Sequence, residues 1–161
     1  FFQPTSGIEP LQLINKLNFR YKYHEYVIKL LQNQNIEKYI AVHYRQTDFL
    51  EKRKNRNDVL KDVDYVIETC KKFMKIHDIS NVYISTDSKD ENILTKLKNE
   101  LPLFFIQEYD NEFTDETNLH ITEMCICINS NVFIGTNSSC YSSFIFGKRI
   151  NNKDKPLNFY L

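Results

Sequence analysis

The chain has 161 residues, enough for one domain that buries roughly two-thirds of its unfolded surface. Hydrophobic residues make up 42% and aromatic residues 14%, which excludes a disordered chain. Basic and acidic residues number 21 each, which excludes a global field drawing the protein to nucleic acid or a membrane surface.

Residues 1–10 carry Pro4, Gly7 and Pro10 and read as an irregular lead-in. From Tyr23 the positions Tyr26, Val27, Leu30 and Leu31 repeat at helical spacing, predicting a helix to about Gln34. Lys38 to Tyr44 is a short apolar run that reads as a buried strand. Residues 50–58 form a charged loop, and Asp58 is placed to cap the helix after it. That helix, expected over about 59–77, sets Val59, Val63, Val66, Ile67, Cys70, Phe73 and Met74 on one face.

A second strand is expected over Asn81–Thr86 and a helix over Asp90–Asn99, ended by Pro102. Leu103–Gln107 reads as a third strand, followed by a polar acidic loop over 108–115. Glu116–Asn129 is apolar enough for a mostly buried helix, Asn131–Ile134 reads as a fourth strand, and Ser139–Phe146 as a helix. Residues 151–161 read as a tail. Strands alternating with helical segments predict an α/β fold, a Rossmann-like parallel sheet with helices on both faces, in one domain over 1–161. In such sheets ligands bind outside the carboxyl ends of the strands.

Three polar clusters fall at such ends: His43-Tyr44-Arg45-Gln46-Thr47-Asp48-Phe49, Ser85-Thr86-Asp87, and Gly135-Thr136-Asn137-Ser138-Ser139. The planar fork of Arg45 suits a diphosphate; the alternative is a surface pair with Asp48. His43 shares a strand face with Arg45 because side chains alternate. Only three glycines occur, which raises the weight on Gly135 between a strand and a helix. The turn after it offers backbone N–H groups and hydroxyls at a helix start, a recipe for phosphate, while Ser139 also suits an N-cap. Asp87 either caps the next helix or holds a loop or a ligand hydroxyl. Glu123 lies on a helix rich in Met, Cys and Ile; facing inward it needs a partner, facing outward it is an ordinary helix glutamate. Lys52, Arg53, Lys54 and Arg56 read as a solvated basic loop; the alternative is a secondary role in drawing anionic ligands inward.

Cys70, Cys125, Cys127 and Cys140 lack zinc spacing and read as buried thiols, which suits a reducing compartment and favours the cytoplasm. No run of about 18 apolar residues is present to span a membrane, and no signal-peptide pattern is visible. The chain opens at Phe1 rather than Met, as a trimmed or excised piece would.

The ordered trio of His43–Phe49, Val82–Asp87 and Val132–Ser139 resembles the motifs of the GDP-fucose-dependent fucosyltransferase superfamily, which includes protein O-fucosyltransferases and α1,6-fucosyltransferases. The resemblance covers roughly residues 11–150. It implies the C-terminal, donor-binding half of a GT-B fold and no essential metal or other cofactor. It implies that Arg45 binds the diphosphate and assists its departure, and that His43 contacts the nucleotide. By the same resemblance Ser138 and Ser139 hold phosphate, Glu123 recognises guanine, and Asp48 and Asp87 shape the site.

Gln46 departs from the pattern where the α1,6 enzymes carry a second Arg. Ser88 stands where some members have Asp, and Cys140 where Ser or Thr is common. The expectation is a donor domain for inverting transfer of fucose from GDP-fucose to a glycan or protein hydroxyl. An N-terminal domain that in several members supplies acceptor residues and a base is missing. The rival readings are a catalytically inactive nucleotide-sugar-binding module and a transferase using another GDP- or UDP-sugar.

Overall fold

The structure, a computed structural model, describes residues 19–47, 61–106, 116–150 and 157–161. Among them the elements run α1 (Tyr21–Asn33), β1 (Tyr39–Tyr44), α2 (Val63–His77), β2 (Asn81–Thr86), α3 (Glu91–Glu100), α4 (Glu116–Asn129), β3 (Val132–Gly135), α5 (Cys140–Ile150) and β4 (Leu157–Tyr160). The strands form one sheet in the order β2-β1-β3-β4. All three pairings are parallel. The chain leaves β1 toward one edge and returns on its other side as β3, so strand order reverses between β1 and β3. A ligand crevice is expected at that reversal.

Alternation along β1 divides the core. Tyr39 and Ala41 face one apolar cluster with residues of α1, α4 and α5, including Val27, Ile126 and Ile145. Ile40, Val42 and Tyr44 face the other with residues of α2 and α3, including Val66, Ile67 and Leu97. Burial on both faces is why β1 and β3 read as unbroken apolar runs in the sequence. Helices therefore cover both faces, as expected.

Four expectations need correction. Asp62 is the N-cap of α2, accepting from the Tyr65 N–H at 2.7 Å, so that helix begins at Val63; Asp58 lies outside the described residues. Over the described part, 103–106, the expected third strand is only a bridge between Leu103 and Val82. Two hydrogen bonds hold it, Val82 N–H to Pro102 O and Phe104 N–H to Val82 O, before Phe104 turns under Tyr39 and Tyr83.

The expected tail instead contains β4, because Leu157 and Phe159 pack into the α2–α3 cluster while Tyr160 lies against Phe146. Finally, Cys70, Cys125 and Cys127 are buried free thiols but Cys140 is exposed, since it opens α5 at the end of the sheet. Among the described residues no helix is long and apolar enough to cross a membrane.

Gly135 sets the approach of α5 to the sheet. A Cβ there would lie 2.8 Å from both Cβ and Oγ of Ser142 and 3.0 Å from the Phe146 ring. The missing side chain brings Ser142 within reach of β1.

Candidate functional site

A cleft of about 360 Å³ opens at the carboxyl ends of β1 and β2 on the α4–α5 face. His43, Arg45, Ser85 and Asp87 line it from the sheet, Glu123 from α4 and Tyr141 from α5. The predicted residues His43, Arg45, Asp87 and Glu123 thus come together from three stretches of chain.

Arg45 is the first residue past β1, and its Nε lies 3.1 Å from Asp87 Oδ2. Its side chain is 37% exposed, so the ion pair is open to water on one side. Asp87 Oδ1 also accepts from the Gln46 N–H at 2.7 Å, and Oδ2 from the Thr47 hydroxyl. Asp90, not Asp87, caps α3. Of the roles open to Asp87, the structure excludes capping and shows it holding the loop after β1. Burial alone would raise the Asp87 carboxyl, but the bonds from Thr47 and Gln46 and the Arg45 charge outweigh it and hold it below its ordinary range. The partner considered for Arg45 from sequence, Asp48, lies outside the described residues, as does the basic run from Lys52 to Arg56.

His43 shares a 2.8 Å hydrogen bond between its Nδ1 and Ser142 Oγ, and its ring lies 4.6 Å from that of Tyr141. Burial first, and then the Arg45 charge, pull its pKa down to about 4, with Asp87 opposing. It is a neutral imidazole at neutral pH. Unfolded, the same ring takes up a proton near its ordinary value of 6.5. Its stabilising contribution is therefore complete above about pH 6.5 and is lost as pH falls toward about 4, a total of about 3 kcal/mol. Urea unfolding at pH 7 and pH 4.5 should show wild type losing about 2 kcal/mol more than His43→Gln over this window. Equal losses in the two proteins would refute the neutral buried state.

Glu123 faces inward. Its Oε1 accepts from the Tyr83 hydroxyl at 3.1 Å and Oε2 lies 3.6 Å from His120 Nδ1. Its side chain is 18% exposed, and burial raises its pKa against the opposing pull of Tyr83, His120 and Ser85. A half-buried carboxylate at a cleft wall is a ready acceptor for paired N–H donors.

The third cluster reaches the cleft indirectly. Ser138 is exposed with φ 62°, in the left-handed region, and Ser139 is buried as the cap of α5, accepting from the Ser142 N–H at 3.4 Å. Neither lines the cleft. Thr136 makes the link, through bonds to the backbone of His43 and Arg45. Gln46 is buried with its amide 3.4 Å from Lys61 O and does not line the cleft. Sequence reasoning passed over Thr136, Ser142, Tyr83 and Tyr141 as site residues. The alternation that puts Tyr83 and Ser85 on the His43 face was a usable signal; the helix register placing Ser142 under His43 was not. Among the described residues no group of three His, Cys, Asp or Glu side chains is gathered to hold a metal ion.

A family model described as GDP-fucose protein O-fucosyltransferase matches residues 9–152. The GDP-fucose protein O-fucosyltransferase 2 of Plasmodium berghei (strain Anka) is 29% identical over 146 residues, which are 89% of this chain and 29% of that protein. Crystal structures of POFUT1 share the fold. The complex with GDP-fucose superposes with a TM-score of 0.73 at 13% identity, over 94% of this chain and 49% of that one. The high-resolution complex with GDP gives 0.70 at 13% identity, over 93% and 50%. The chain spans less than a third of the curated relative and about half of the POFUT1 chains.

Proposed function

The chain belongs to the GDP-fucose protein O-fucosyltransferase family, and from that premise we propose that it forms the donor-binding part of an inverting fucosyltransferase using GDP-fucose. The observation that carries the reading is the pairing of Arg45 with Glu123 in one cleft at the carboxyl ends of a parallel sheet. A cation for the diphosphate and a carboxylate for the donor edge of guanine are the two recognition elements a GDP-sugar needs.

In the reaction an acceptor hydroxyl oxygen attacks the anomeric carbon of fucose as the bond from that carbon to the β-phosphate oxygen breaks. The electron pair leaves with GDP, the acceptor proton passes to a base, and configuration inverts. Arg45 stabilises the negative charge that grows on the diphosphate, a contribution a fixed cation makes without reorganisation. His43, uncharged, is a hydrogen-bonding contact for the nucleotide rather than a second cation. By the family resemblance Ser138 and Ser139 hold phosphate and Asp48 helps to shape the site. Glu123 accepts from guanine.

The alternative reading is a module that binds the donor and transfers nothing by itself. Calorimetric titration of the folded chain with GDP, GDP-fucose, UDP and GMP tests the proposal. Saturable binding of GDP and GDP-fucose, tighter than UDP and GMP, is expected. A folded sample that takes up none of them overturns the reading for this chain. Equal affinity for UDP overturns the guanine assignment of Glu123. Binding without release of fucose to any hydroxyl acceptor or water selects the silent module.

A further inference from the structure

The backbone that carries Arg45 is gripped from both sides by side chains of the neighbouring strands. The β1–β3 ladder stops at Val42 and Ile134. Beyond it, the carbonyl of His43 and the N–H of Arg45 still point toward β3 and would have no ladder partner there. One hydroxyl takes both: Thr136 Oγ1 donates to His43 O at 2.6 Å and accepts from Arg45 N–H at 3.0 Å. On the other flank Thr86 Oγ1 donates to Tyr44 O at 2.6 Å, and Asp87 accepts from the Gln46 N–H. Thr136 is 2% exposed and does not line the cleft, so it has no direct reach to a ligand.

We infer that Thr136 is a positioning residue for Arg45, fixing where its guanidinium meets a diphosphate by extending the β1–β3 ladder with a side-chain hydroxyl. The inference rests on the donor-binding reading above. A guanidinium on a flexible stem gains little from its charge unless the backbone that launches it is held. Here the hold comes across the point where strand order reverses, so the turn after β3 and the loop after β1 move as one unit. Serine at position 136 keeps both hydrogen bonds. Valine matches the shape but leaves a buried carbonyl and a buried N–H unpaired.

The test is a mutant cycle read by GDP titration, with GDP unfolding protection recorded alongside. Thr136→Val should lower GDP affinity about tenfold, and Thr136→Ser should stay within about twofold of wild type. Placed in an Arg45→Ala background, the Thr136→Val loss should shrink to about twofold or less, because the residue acts through Arg45. If Thr136→Val does not fold, Thr136→Ala, which leaves room for a bridging water, is read in the same cycle. Undiminished GDP affinity in the folded variant overturns the inference, and so does a loss of equal size with and without Arg45. Wild-type protein that takes up no GDP overturns the functional reading and this inference with it. Wild-type binding together with an unaffected variant overturns this inference alone.

Discussion

Arg149→Met should lower the free energy of unfolding by about 3–5 kcal/mol. The guanidinium is fully buried, 0% exposed, and its acceptors among the described residues are neutral oxygens. Nη1 donates to the carbonyls of Cys127, Ile128 and Ser130 at 3.1, 2.9 and 2.7 Å. Nη2 donates to Asn131 O and Leu157 O, and Nε to Asn158 Oδ1 at 2.6 Å. One side chain on α5 thus closes the carboxyl end of α4, the turn into β3 and the start of β4.

Burial pulls its pKa down to about 10, leaving it charged at neutral pH. A cation at a helix carboxyl end is favoured by the helix dipole, which offsets part of its desolvation. Methionine fills most of the volume but leaves at least five carbonyl groups without this donor. Each unmet buried acceptor costs about 1–3 kcal/mol, reduced where water can enter. Lysine should recover only a minor part, because a single ammonium cannot span the same set of oxygens. Urea denaturation followed by far-ultraviolet circular dichroism measures the loss. A change below about 1 kcal/mol would show that these carbonyls find other partners.

Arg45→Ala should weaken GDP binding by about 1.5–3 kcal/mol, a 10- to 150-fold rise in Kd, while leaving stability within about 1 kcal/mol of wild type. The split follows from the site. The Arg45–Asp87 pair is partly exposed and screened, so its removal costs the fold little. Toward a diphosphate the loss has two parts. The charge-assisted bonds of the fork disappear, and the Asp87 carboxylate, held ionised by Thr47 and Gln46, is left without its cation near an anionic ligand. Arg45→Lys should sit between the two, keeping charge but losing the fork geometry. The affinity difference between wild type and Arg45→Ala should narrow as salt rises from 50 to about 500 mM, since screening weakens the part-exposed contact. Unchanged GDP affinity in Arg45→Ala removes this residue from the donor site.

The order and type of most elements were legible because parallel strands buried on both faces give short apolar runs, and covering helices give 3.6-residue periodicity. The face shared by His43 and Arg45 followed from strand alternation alone. Element ends were less visible: Asp62 rather than Asp58 caps α2, and Leu103–Gln107 looked like a strand but makes one bridge. Both depend on which backbone donors find partners, and propensity does not report that.

By itself, then, the sequence determined an alternating α/β chain with three polar strand ends and a lone glycine at one of them, because local pattern encodes which side of each element is buried. The tertiary structure alone decided that Glu123 turns inward to Tyr83, that Asp87 holds a loop, and that Arg149 lies buried as a clamp. It alone made Thr136, rather than Ser138 or Ser139, the bridge to Arg45. These rest on partners from 8 to 93 residues apart. A polar side chain has many such partners open to it in the unfolded chain, and only the packed sheet and helices decide which of them come within hydrogen-bond distance.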